Sequence, residues 1–145
     1  MKVLVFKHIA CEHPGVFRQF FSESGIAWHA VELDAGEPIP DLSEYDALWV
    51  MGGPMDVWDT DTCPWLLPEK AAIRTWVQDL KKPYLGLCLG HQLLADALGG
   101  DVHRIADLAM ELGLLGDVPA IPTAEEAPKE AGLPRQVSFI GSSTC

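Results

Sequence analysis

The sequence predicts an α/β fold with a mainly parallel sheet, and three observations carry that prediction. Short β-branched and apolar runs alternate with amphipathic stretches along the first hundred residues. Two of those runs end abruptly in glycine-rich turns, at Gly52-Gly53-Pro54 and at Gly86-Leu87-Cys88-Leu89-Gly90. The chain has 145 residues, 48% apolar and 21% charged, the size and mixture of one globular domain.

The elements follow in order. Lys2–Phe6 is a buried-strand run. Pro14 suits a helix first turn, and Phe17, Phe20 and Phe21 recur at helical spacing until Gly25 offers a stop. Trp28–Leu33 is a second strand, followed by a loop from Ala35 to Leu42. Asp46–Met51 is a third strand, and Met55–Pro68 is loop-like, with acids and prolines. Over Glu69–Lys81 the apolar positions Ala72, Ile73, Trp76, Val77 and Leu80 make one helix face, broken by Pro83. Tyr84–Leu87 is a fourth strand, and Gln92–Leu98 is a helix closed by Gly99-Gly100. Glu111–Val118 and Val137–Ile140 are weaker strand candidates.

Charge narrows the function. The formal net charge is −11, and between Arg18 and Lys70 there are eleven acids and no Lys or Arg. A nucleic-acid binder needs a basic face to displace counterions, so neither nucleic acid nor an anionic membrane is an expected partner. No apolar run approaches the ~20 residues that span a bilayer, and the run after Lys2 is too short for a signal-peptide core. The expectation is a soluble cytoplasmic protein.

Cys11, Cys63, Cys88 and Cys145 form no CxxC pair and no metal-ligand spacing, so no metal site or disulfide framework is expected. Cys88 stands apart. It lies on a strand–turn–helix junction with glycines at −2 and +2, the thiol version of a nucleophile elbow. A nucleophile on such a turn holds a strained backbone, which Gly86 and Gly90 make sterically possible. The following helix N-terminus favours a thiolate. The Gly52-Gly53-Pro54 turn also follows a strand, where α/β sheets place their sites. Its backbone N–H groups, with that of Leu89, suit an oxyanion hole.

Gly86–Gly100 (GLCLGHQLLADALGG) and Met51–Asp59 (MGGPMDVWD) resemble the class I glutamine amidotransferases. Among them, they are most similar to stand-alone proteins resembling the amidotransferase domain of GMP synthase. The resemblance covers residues 2–104 well and 105–140 weakly, so residues 1–145 are expected to form a single domain of this kind. It implies a three-layer, flavodoxin-like sheet with helices on both faces. It further implies that Cys88 attacks the side-chain amide of glutamine, releasing ammonia and leaving a glutamyl thioester for water. Gly53 and Leu89 would donate to the oxyanion. Gly52, Pro54, Met55 and Gln92 would line the glutamine pocket, and Gly86, Gly90 and His91 would shape the elbow. No cofactor or metal is implied. The implied partner is a synthetase or other ammonia acceptor.

One part of the family pattern is missing. The family's base and acid are a His-x-Glu pair downstream of the elbow. His8, His13, His29, His91 and His103 are followed at +2 by Ala10, Gly15, Val31, Leu93 and Ile105. His91 is expected to brace the turn by hydrogen bonds, and His103 to be exposed or capping. His8 and His13 remain as residues able to approach the pocket. Glu111-Leu112-Gly113 and Gly132-Leu133-Pro134 resemble the run before the family's catalytic histidine, where Gly141-Ser142-Ser143 stands instead. The resemblance thus implies a truncated chain, its C-terminal part incomplete, with an exposed sheet edge that favours self-association. Two other readings stay open. One is an inactive remnant with a binding role, and the other is a γ-glutamyl-cleaving or peptidase-like cysteine hydrolase.

Overall fold

The computed structural model describes residues 1–103. Strands β1 (Lys2–Lys7), β2 (Ala27–Glu32), β3 (Ala47–Val50) and β4 (Tyr84–Gly86) form one sheet in the order β2-β1-β3-β4. Every pairing is parallel, with Val3 opposite both Trp28 and Ala47, and Val50 opposite Gly86. The central strand β1 is buried from Val3 to Lys7, which is why it reads as a continuous apolar run rather than an alternating one. Lys7 ends the run without leaving a lone buried charge, because its Nζ lies 2.7 Å from Glu32 on β2.

Helices cover both faces, as the family resemblance implies. On one face α1 (Phe17–Glu23) seats Phe21 against Val3, Val5 and Ala47. On the other, α2 (Leu66–Arg74) and α3 (Leu89–Ala97) bury Leu66, Ile73, Leu89 and Leu93 against Leu4, Phe6, Leu48 and Val50. Lys70 on α2 pairs with Asp96 on α3 at 2.8 Å, and Arg74 Nε donates to Ala97 O at 2.8 Å. These two cations lock the helices together, and Arg74 also neutralises the carbonyl end of α3. Met1–Val102 form one compact unit. No helix among the described residues is long and apolar enough to cross a membrane.

Strand boundaries fall within one residue of the sequence expectation, and helix boundaries differ more in three places. The helix expected at Glu69–Lys81 begins three residues earlier, at Leu66, with Pro68 inside its first turn. There the missing N–H breaks no i→i−4 helix bond, because first-turn N–H groups have no acceptor within the helix. It then widens into a π turn over Thr75–Asp79, with Leu80 N–H donating to Thr75 O, and stops at Lys81, whose φ is +53°. Helix α3 starts at Leu89 rather than Gln92, directly after Cys88. Pro14 lies in a turn ahead of α1, accepting from Phe17 N–H at 3.0 Å, and not inside the helix. The strand candidates Glu111–Val118 and Val137–Ile140 lie outside the described residues.

Candidate functional site

The strand order places a switch point between β1 and β3, because the chain leaves β1 toward β2 on one side and later adds β3 and β4 on the other. Open α/β sheets bind their ligands beyond the carboxyl ends of strands at such a point. Here three segments meet that description: His8 after β1, Gly52-Gly53-Pro54 after β3, and Cys88 after β4.

The Cys88 turn is held by close packing. Cys88 has φ +51° and ψ −109°, outside the regions open to most L-residues, and it is exposed. Such strain persists only where the surroundings over-determine it. A methyl group on Gly86 would lie 2.6 Å from Gly90 C, and one on Gly90 would collide with Val50 O. Any side chain at either position would therefore push the turn off β3. Hydrogen bonds complete the restraint: Leu87 N–H donates to Val50 O at 2.9 Å, Gly90 N–H to Leu87 O at 3.0 Å, and Tyr84 Oη–H to Gly90 O at 2.7 Å. Burial, with the Glu69 carboxyl adding to it, pushes the Tyr84 phenol well above its usual 10, so it stays a donor. His91 contributes its backbone N–H, which donates to Cys88 O at 3.0 Å, while its side chain is exposed. The side chain that braces the turn is Tyr84.

The Gly52–Met55 loop is held differently. His8 is wholly buried, with Nδ1 2.8 Å from Gly52 O and Nε2 2.8 Å from Glu69 Oε1. A carbonyl can only accept, so Nδ1 carries the proton. Glu69 is also 0% exposed, and its Oε2 has no partner among the described residues. Trp65 stacks on the His8 ring at 5.4 Å and 13°, fixing its plane. Burial pushes the imidazole down, but the Glu69 hydrogen bond and charge, the Gly52 carbonyl and the Asp34 charge outweigh it, leaving His8 above its usual 6.5. Burial holds the Glu69 carboxyl above its usual range even against the pull of His8 and Lys70. Both shifts keep a proton on the pair.

The loop and the elbow touch. A methyl group on Gly53 would meet Met55 Sδ at 2.5 Å, Leu89 Cδ2 at 2.9 Å and His8 Cβ at 3.1 Å. The structure thus brings Gly53, Met55, Leu89 and His8 together, with Glu12 on the outer side, 3.1 Å from where a Gly52 methyl would stand. Pro54 and Gln92 are exposed, and Gln92 N–H donates to Cys88 O at 3.2 Å. Among the described residues, the N–H groups of Gly53 and Leu89 donate to no protein acceptor. No group of three His, Cys, Asp or Glu side chains among them is placed to hold a metal ion.

His8 is therefore no approach to the thiol as a base: both its nitrogens are engaged and it is shut off from solvent. His13 is exposed and accepts from Gly15 N–H at 2.9 Å. Glu69 and Tyr84 lie outside the sequence motifs of the site. A signal for Glu69 was present, since it falls in phase with the buried Leu66, Ile73 and Trp76. An acid on the buried stripe of a helix demands a partner.

A parallel sheet with a strained thiol elbow and a glycine loop at adjoining strand ends defines the class as an open α/β protein with a candidate site at its strand ends. Comparison with known proteins makes the class specific. The family model described as glutamine amidotransferase class-I matches residues 17–129, and the chain belongs to that family. It is 33% identical over 101 residues to gamma-glutamyl peptidase 5 of Arabidopsis thaliana, covering 68% of this chain and 39% of that protein. It is 35% identical over 75 residues to a glutamine-hydrolyzing GMP synthase subunit of Sulfolobus acidocaldarius, covering 52% of this chain and 37% of that one. Its fold is similar to the crystal structure of a glutamine amidotransferase from Thermotoga maritima, with a TM-score of 0.68 and 30% identity, over 72% of this chain and 45% of that one. The chain spans less than half the length of these relatives.

Proposed function

We propose that the chain carries the cysteine half of a glutaminase site. In this reading the Cys88 thiolate attacks the side-chain carbonyl carbon of glutamine, and the N–H groups of Gly53 and Leu89 receive the negative oxygen of the tetrahedral intermediate. The C–N bond breaks, the nitrogen leaves as ammonia after taking a proton, and a γ-glutamyl thioester remains on Cys88. Water then cleaves the thioester to glutamate and regenerates the thiol. Gly52, Pro54, Met55 and Gln92 border the glutamine, and the ammonia passes to an acceptor supplied by a synthetase partner, as the likeness to a GMP synthase subunit suggests. The observation that carries the reading is the pairing of a strained, exposed Cys88 with two backbone N–H groups that no described protein acceptor uses. Preorganised donors of this kind usually supply the largest share of acyl-transfer catalysis. The base must come from elsewhere than His8.

A second reading has one observation in its favour, the 33% identity to a gamma-glutamyl peptidase over 68% of the chain. The same thioester would then form with a peptide amine as the leaving group instead of ammonia. One experiment addresses both. A diazoketone analogue of glutamine should alkylate Cys88 and no other cysteine, with free glutamine protecting, as read by peptide mass spectrometry. Protection by γ-glutamyl peptides and not by glutamine favours the peptidase reading. Labelling absent at Cys88, or indifferent to both ligands, overturns the site.

A further inference from the structure

We infer that His8 is a positioning residue that sets which way the Gly52–Gly53 peptide faces, and that Glu69 holds His8 in the tautomer able to do so. This inference rests on the reading of Gly53 as an oxyanion donor. In a trans peptide the carbonyl of one residue and the N–H of the next point in opposite directions, and the described chain contains no cis peptide. With Gly52 O fixed on His8 Nδ1 at 2.8 Å, the Gly53 N–H is turned to the side away from His8.

The loop cannot hold that orientation on its own. Two successive glycines are the most permissive backbone available, and a flip of the peptide between them meets no side-chain obstacle of their own. The flipped peptide would present a carbonyl oxygen where the oxyanion forms, replacing attraction by repulsion. His8 opposes the flip, because flipping leaves a fully buried Nδ1–H without an acceptor.

Glu69 decides whether Nδ1 carries that proton. Facing a bare carboxylate, a neutral imidazole would place its hydrogen on Nε2 and turn a lone pair toward Gly52 O. The proton held between Glu69 Oε1 and His8 Nε2 removes that option. Whether written as a neutral acid beside an imidazole or as a carboxylate beside an imidazolium, the pair leaves Nδ1–H donating. Trp65 restricts ring rotation, and the close approach of His8 Cβ to Gly53 ties the ring to the loop.

The test compares a ligand that creates an oxyanion with one that does not. The γ-aldehyde analogue of glutamine adds the Cys88 sulfur to its carbonyl carbon, and the former carbonyl oxygen becomes the alkoxide or, with the thiol's proton, the hydroxyl of a hemithioacetal. Iodoacetamide alkylates the same sulfur without generating such an oxygen. In His8→Phe, which keeps a ring for Trp65, aldehyde affinity should fall by about tenfold or more while the iodoacetamide rate stays within about twofold. Glu69→Gln, with His8 intact, should retain most of the wild-type affinity, because its amide N–H donates to Nε2 and preserves Nδ1–H.

Nitrogen-15 spectra of the wild-type chain give a readout that survives a variant that does not fold. His8 Nδ1 should be protonated, and its resonance should move with the Gly53 amide when the aldehyde binds. A bare Nδ1, an unmoved resonance on binding, or His8→Phe binding the aldehyde as wild type does would overturn the positioning role alone. Wild-type chain that takes iodoacetamide at Cys88 but never binds the aldehyde would remove the glutaminase reading, and this inference with it.

Discussion

The two halves of the candidate site sit side by side and are built on opposite physical principles. The Cys88 elbow is shaped by the absence of atoms: Gly86, Gly90 and Val50 approach so closely that no side chain fits between them. The Gly52–Gly53 loop is shaped by a buried polar relay, Gly52 O to His8 to Glu69, inside an otherwise apolar layer. Steric restraint is insensitive to pH and fails all at once when a methyl is added. A buried hydrogen-bonded pair is sensitive to protonation and fails when either partner is lost.

The largest expected effect breaks the polar half. Glu69→Ala leaves His8 without its partner in a sealed pocket and should cost about 3–5 kcal/mol in urea unfolding. Its mirror in the steric half is Gly90→Ala, whose methyl meets the unyielding Val50 carbonyl. About 1–3 kcal/mol or more is expected from such overpacking, with loss of Cys88 labelling. Tyr84→Phe should cost about 1 kcal/mol by stripping Gly90 O of its donor, and should loosen the elbow without disturbing His8. Hydrogen exchange at Gly90 and His91 would rise while the Gly52 region stays protected.

Cys88→Gly runs the other way. Glycine accepts φ +51° without penalty, so thermal unfolding should show a gain of about 1 kcal/mol. A loss on that substitution would mean that the thiol itself packs the turn.

The smallest signal is the pH slope. His8 is raised in the folded chain, so its contribution is complete below the unfolded value of 6.5 and is lost as pH climbs through the raised native value. Glu69 is raised as well, so its contribution has the same sign and starts to be lost above 4.5. Stability should therefore fall as pH rises above 4.5, by no more than about 1.4 kcal/mol per pH unit for one proton. Glu69→Gln should flatten the slope. The charges of Asp34 and Lys70 act on this pair and Glu69 acts on Tyr84, and a slope that survives Glu69→Gln would overturn its assignment to the pair.

The glycine restraint of the elbow is legible in the sequence because it is local, whereas the Tyr84 hydrogen bond to Gly90 O is not. Glycines at −2 and +2 around Cys88 are visible in the chain, and so is the strand that precedes them. The glycine loop is legible too, since Gly52-Gly53-Pro54 ends a strand abruptly. What holds that loop is not. His8 and Glu69 are 61 residues apart, and each looked ordinary alone: a histidine in a loop and an acid at the start of a helix. Pro68 masks the first turn of α2 in the sequence, and so the phase that puts Glu69 inside.

The sequence by itself determined the alternation of strands and helices, the identity of the thiol elbow and the position of the glycine loop, because each rests on spacing within a dozen residues. Tertiary structure alone decided that β1 and β3 become neighbours, and so that a histidine from one and a carbonyl from the other meet. It also decided that the acid reaching them from α2 is buried. Burial strengthens that hydrogen bond and makes an unpaired group there costly. Burial is a property of the packed chain and not of any segment of it.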